Sequence, residues 1–359
     1  MSNLNNENTV SKQGIEVVVS RELGKWALFS GGGHMSELVA SFDWSKTVGE
    51  LSHWPQSLRT AVSICLASRF PIVMYWGPEF VVLYNDAYSE ILANKHPWAL
   101  GRAACEVWNE IWDVIGPMLN GVIANGQATR SDDLLLFLER QGYPEECYFS
   151  FSFSPVRIEA GVVGGVFCAV KETTSQVIGD RRLRTLRDLG ARTSETKTVA
   201  DACQRSAEVL SENASDVPFA LIYLLSGSTA TLAGAAGIDV DGPYSPTSVK
   251  LSADGEAAPW EIDVVARTGQ PKTIDITSGC CRILPRGTWS KGPDVIQVLP
   301  LGQDRPVGIL VAAVNPHRRL DDEYLTFFSL LARQITSAIA DARAHEEERQ
   351  RIQIGRAHV

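Results

Sequence analysis

The chain has 359 residues, more than one hydrophobic core usually serves, so two domains are expected. Hydrophobic residues make up 45% and charged residues 21%, an ordinary globular composition that can supply two cores. A net charge of −9 with no long basic run argues against nucleic acid or an anionic membrane surface as partner, since both are bound through cationic side chains.

In chain order, residues 1–35 read as a flexible tail. Its polar, Asn-rich start lacks the apolar run of a signal peptide. The break Ser30-Gly31-Gly32-Gly33 precedes a helical lead-in, 36–68. Within it, Trp54-Pro55 marks a helix start, and Leu58, Val62, Cys65 and Leu66 recur at helical spacing. Phe70 to Trp76 and Phe80 to Tyr84 then predict two strands around the turn Gly77-Pro78-Glu79. Asn85-Asp86 caps a short helix over 87–92. A longer helix follows over 111–125, with Gly126 as its stop. Strands are predicted over 133–139, 147–158 and 164–172. Phe149, Phe151 and Phe153 alternate with Ser150, Ser152 and Ser154, the pattern of a half-buried strand.

The second half opens with a charged helix over 177–192, carrying Leu183, Leu186 and Leu189, and a second helix over 199–211. Strands are predicted over 219–225 and 231–237, and 238–260 reads as loop. A helix over 260–268 stops at Gly269. Paired strands over 295–301 and 307–314 precede one long helix over 321–353. Leu325, Phe328, Leu331, Ile335, Ala338 and Ala342 line one face of it, and the pattern turns charged from His345. Both halves are therefore α+β, joined by a helix and ending in one. No stretch reaches the roughly 20 apolar residues of a membrane helix, so a cytoplasmic location is expected.

The first half resembles a PAS domain. The likeness rests on the hairpin, on Asn85-Asp86-Ala87-Tyr88 opening a short helix, on a connecting helix, and on three strands ending Val170-Lys171-Glu172-Thr173-Thr174. The second half resembles a GAF domain, in which a central sheet sits between a pocket and terminal helices. Three stretches are similar to one group of PAS–GAF sensor histidine kinases, often hybrid ones: Trp54 to Val62, Lys95 to Gly101 and Trp108 to Pro117. The resemblance implies a PAS-like domain over 69–175, a linker helix over 176–195, a GAF-like domain over 196–343 and an output helix over 344–359. It further implies a parallel homodimer through the linker and C-terminal helices, a small-molecule or protein signal, and a kinase core downstream.

Catalytic chemistry finds no constellation. Six histidines are dispersed, and neither Gly-x-Ser-x-Gly nor His-Glu-x-x-His occurs. Gly31-Gly32-Gly33-His34 lacks the Gly-Lys-Ser/Thr of a phosphate loop. His345-Glu346-Glu347-Glu348-Arg349 misplaces the arginine of a phosphoacceptor box and reads as a solvated helix face. The chain as given is therefore expected to be no enzyme. Ile354 to Val359 resembles translated read-through of a sequencing adapter, so the output helix is expected to be cut short. The seven cysteines are odd in number and form no Cys-x-x-Cys pair, so neither a disulfide framework nor a metal site is expected. Cys280-Cys281 lacks the adjoining histidine of a bilin linkage, and no cofactor is evident.

Candidate ligand-binding residues are Trp76, Asn85, Trp98 and Trp108. Core packing is the alternative for the tryptophans, and helix capping the alternative for Asn85. The expected function is signal input to a histidine kinase. The alternatives are input to a phosphatase or a cyclic-dinucleotide cyclase, or a stand-alone ligand-binding protein.

Overall fold

The computed structural model describes residues 33–251, 258–277, 284–302 and 305–357, with side chains to residue 353. The expectations for residues 1–32 of the N-terminal tail, for Cys280-Cys281 and for the side chains of 354–359 lie outside the described residues. Gly33 to Met35, expected in the tail, instead open a helix, and Met35 is fully buried. Among the described residues no helix is long and apolar enough to cross a membrane. The chain divides into two units, one of residues up to 142 with 147–172, the other of 143–146 with 173 onward.

The first unit begins with helices α1 (Gly33–Ser41) and α2 (Gln56–Ala67). On α2 the expected positions Leu58, Val62, Cys65 and Leu66 are buried, in the same core cluster as the sheet. The hairpin β1 (Ile72–Trp76) and β2 (Val81–Tyr84) is buried at every position, as befits strands covered on both faces. Helix α3 (Asp86–Leu92) follows, then the short α4 (Ala104–Val107), which periodicity did not reveal, then α5 (Trp112–Asn125). Gly126 ends α5 in the left-handed region at φ +63°, where a side chain would be strained.

Strands β3 (Thr129–Leu138), β4 (Glu145–Arg157) and β5 (Val163–Glu172) complete a sheet of order β2-β1-β5-β4-β3. Strand β3 starts four residues before the expected 133, because its first half is largely exposed and carries no apolar signal. In β4, Phe149, Phe151 and Phe153 are buried while Ser150, Ser152 and Ser154 are half-buried, as the alternation predicts.

The second unit has helices α6 (Thr174–Thr193) and α7 (Val199–Glu212), then β6 (Ala220–Ser226), β7 (Thr229–Ala236) and β8 (Ser248–Lys250). Next come α8 (Ile262–Thr268), β9 (Lys272–Asp275), β10 (Val295–Leu301), β11 (Gly308–Ala313) and the long α9 (Asp322–Ala357). The sheet order is β8-β7-β6-β11-β10-β9, with antiparallel pairings throughout. Strands β8 and β9 are its edges. Each is three or four residues long and half-exposed, too short to show a period.

One face of this sheet is covered by α6, α7 and α9. Helix α7 lies close on β7: a Cβ at Gly234 would stand 2.7 Å from the Cys203 carbonyl oxygen. The opposite face carries a second cluster that includes Phe219, Tyr223, Trp260 and Ile296.

Two expectations need correction. The helix expected from 260 begins at Ile262, because Trp260 and Glu261 have positive φ. Trp260 is held there by its indole N–H, which donates to the Tyr244 carbonyl oxygen at 2.7 Å. On α9, Leu325 is 39% exposed, whereas the neighbouring Tyr324 and Phe327 are buried. The buried stripe runs one position earlier in the first turn than apolarity alone suggests, because the Tyr324 hydroxyl is used inside the unit.

Candidate functional site

The inner face of the first unit's sheet and the helices α3 to α5 enclose a cavity of about 40 Å³. Period-2 alternation points Leu136 and Leu138, the three phenylalanines of β4, and Cys168 and Val170 of β5 to the same side. The register sets Phe153 opposite Cys168 and Phe151 opposite Val170. Tyr75 of β1 meets Phe153 edge-on at 6.0 Å between ring centres. From the helical side come Tyr88 and Ile91 of α3, Ile115 of α5, and Trp108 and Ile111 between α4 and α5.

Three polar atoms interrupt this apolar wall. The hydroxyls of Tyr75 and Tyr88 face each other and the Trp108 indole. Trp108 is 2% exposed, and its Nε1–H makes no well-formed hydrogen bond. Burial, with smaller contributions from neighbouring groups, pushes both tyrosine hydroxyls far above their ordinary titration range. Burial alone does the same to the Cys168 thiol. All three are therefore neutral at physiological pH. Among the described residues no charged side chain lines the cavity.

A charge does lie behind Trp108. The Lys95 ammonium sits 4.5 Å from the centre of one indole ring. It donates to the Val107 carbonyl oxygen at 2.7 Å and is ion-paired with Glu110. Glu110 in turn accepts from the Glu139 backbone N–H at 3.1 Å. The indole is thus fixed from outside the cavity, with its N–H left facing the tyrosines.

The structure separates the four residues singled out from sequence. Trp108 lines the cavity. Trp76, at the end of β1, does not, and packs instead against Gly164 and Gly165. Trp98 is 47% exposed and lies under the Arg102 guanidinium at 4.4 Å. Asn85 is fully buried and all its hydrogen-bonding capacity is used. Oδ1 accepts from the Ile72 and Tyr88 backbone N–H groups at 3.0 Å each, while Nδ2 donates to the Ser68 and Phe70 carbonyl oxygens at 2.9 and 2.7 Å. It caps α3 and leaves no atom for a ligand.

Sequence reasoning did not pick out Tyr75 and Tyr88. Tyr75 sat unmarked in an apolar strand. The signal for Tyr88 was its place three residues after a capping asparagine, on the helix face turned to the sheet.

The second unit contains a buried charge cluster. Arg181 of α6 meets Asp216 with two hydrogen bonds, of 2.7 and 2.9 Å, and reaches Glu146, also of this unit, at 2.8 Å. Burial works against the Arg181 charge, but the bonds to Asp216 and Glu146 more than reverse it and raise its pKa. Arg182 adds a 3.3 Å contact to Asp216 and lies 4.0 Å over the Tyr324 ring. The Tyr324 hydroxyl donates to the Asp216 carbonyl oxygen. Every charge here has a partner, which makes the cluster a structural tie between α6, the α7–β6 turn and α9. Among the described residues no group of three His, Cys, Asp or Glu is arranged to hold a metal ion.

No family model matches the chain, and no curated protein matches it. Solved structures do show similarity. The GAF domain of an Acinetobacter phosphoenolpyruvate-protein phosphotransferase is 18% identical with a TM-score of 0.34, over 45% of this chain and 94% of that one. The photosensory core module of the Stigmatella aurantiaca phytochrome is 14% identical with a TM-score of 0.37, over 80% of this chain and 60% of that one. Free methionine-R-sulfoxide reductase from Neisseria meningitidis, in complex with its substrate, is 18% identical with a TM-score of 0.34, over 45% and 90%. These TM-scores lie below 0.5, so function is argued from the chain's own residues.

Proposed function

We propose that the chain is the signal-sensing and transmitting input region of a two-component histidine kinase, with a PAS-like first unit and a GAF-like second unit. The observation that carries this reading is the first unit's cavity and its link to a helix. Cys168 and Val170 form part of the cavity wall on β5. That strand ends at Glu172, and α6 begins at Thr174, with only Thr173 between them. An occupant pressing on β5 therefore acts on the strand that feeds the helix.

The element order supports the PAS-like half: a hairpin, a capped short helix, connecting helices and three strands. The GAF-like half is supported by a central sheet with the unit's N- and C-terminal helices on one face. In this reading α6 and α9 pair with their counterparts in a parallel homodimer, and the packing of those pairs sets the activity of a kinase core beyond this chain.

The test is a fusion of the full chain to a histidine kinase core through α9. Insertions of two or four residues after Gln350 should change autophosphorylation several-fold, and a seven-residue insertion should restore it, because the helical seam repeats every seven residues. Autophosphorylation indifferent to all three insertions would overturn the reading.

A further inference from the structure

We infer that the first unit's cavity binds a neutral molecule of about four heavy atoms with one hydrogen-bond acceptor, of the short-chain ketone or aldehyde class. The inference rests on the input-region reading and names the chemistry of its signal.

Size sets the first limit. A volume of about 40 Å³ admits roughly three or four water-sized atoms. Pockets for drug-sized ligands and organic cofactors are roughly ten times larger. Charge sets the second. The wall is aromatic and aliphatic and offers no counter-ion, so an ion would lose its hydration without compensation.

Hydrogen bonding sets the third. Tyrosine hydroxyls can donate or accept, but an indole N–H can only donate. The Trp108 N–H is turned toward the two tyrosine oxygens without well-formed bond geometry, beside two hydroxyls that burial keeps protonated. Three protons thus share two acceptor oxygens, and one hydroxyl proton is left without an acceptor. A carbonyl oxygen accepts that proton and brings no donor of its own, while its methyl groups meet Phe151, Ile115 and Leu138. The Lys95 ammonium over the indole face draws electron density from the ring, which strengthens the N–H as a donor.

The experiment is an NMR titration of the ¹⁵N-labelled full chain with acetone. The chain has nine tryptophans, and the Trp108 indole signal is assigned by its loss in Trp108→Phe. Acetone should move that signal saturably, with a Kd between about 0.1 and 10 mM for so small a ligand. 2-Methylpropene matches acetone in shape, with a CH2 in place of the acceptor oxygen, and should bind at least about tenfold more weakly. Tyr88→Phe should weaken acetone binding several-fold. Ile115→Ala, which enlarges the cavity without touching the donors, should newly admit cyclohexanone.

An unsaturable acetone shift would overturn the inference. So would equal binding of 2-methylpropene, or a resident water at the indole that acetone does not displace. Acetone that binds without altering the fusion's autophosphorylation would count against the input reading and leave the site standing. Autophosphorylation that follows the insertions while acetone fails to bind would remove this site alone.

Discussion

Asn85 shows how one amide can organise a corner of a fold. Its two oxygen contacts hold the start of α3 and the start of β1, and its two nitrogen contacts hold the turn that leads into β1. Substitution to alanine would strand the Ile72 N–H and the Ser68 carbonyl oxygen, whereas the Tyr88 N–H keeps the Asn85 carbonyl oxygen at 3.1 Å and the Phe70 carbonyl keeps the Ser68 hydroxyl at 3.4 Å. We expect Asn85→Ala to lower the unfolding free energy by about 3 kcal/mol, read from urea denaturation, because buried unsatisfied groups cost about 1–3 kcal/mol each and neighbouring losses overlap. Asn85→Asp should be nearly as damaging, since a carboxylate cannot donate to the Ser68 and Phe70 carbonyls. A loss below about 1 kcal/mol would mean that the corner holds without this side chain. Trp108 and Trp98 make the complementary point, because two tryptophans ten positions apart lie one in a cavity wall and the other under a surface arginine.

At the scale of elements, the second unit is held by a charge cluster as well as by apolar packing. Asp216 is fully buried in the turn between α7 and β6, and it is reached by Arg181 and Arg182 of α6 and by Asn213. The same turn accepts the Tyr324 hydroxyl from the first turn of α9. Asp216→Ala would leave the two guanidiniums without their shared partner. The expected loss is about 3 kcal/mol, the lower end of the range for breaking a buried ion pair, because both arginines keep some solvent contact. Thermal or urea unfolding of the variant checks this, and an unchanged midpoint would show that the cluster contributes no net stability.

Across the whole molecule, each unit has a core of its own. Among the described side chains the last buried one on α9 is Ala342, and Glu346 still accepts the Val199 backbone N–H at 3.1 Å. Residues 347–353 are exposed along their whole length. At concentrations where the chain is monomeric, a chain ending at Glu346 should therefore match the full chain in unfolding free energy within about 0.5 kcal/mol. A larger loss in urea denaturation under those conditions would reveal packing of these turns within the protomer.

The sequence alone determined the α+β character of both halves, the cap at Asn85, the half-buried strand of Phe149, Phe151 and Phe153, and the helices expected over 177–192 and 199–211. These features are written in local periodicity and capping chemistry, which act within a few residues. Edge strands β8 and β9, the late start of α8 and the exposure of Leu325 were not legible, because pairing partners and tertiary anchors decided them. The cavity's lining was singled out from sequence only at Trp108. Its chemistry arises where Tyr75, Tyr88 and Trp108 meet, and residues 13 and 20 positions apart reveal no such meeting to a periodic reading. Only the folded sheet, packing over α3 to α5, brought three ordinary aromatic residues to the wall of one cavity.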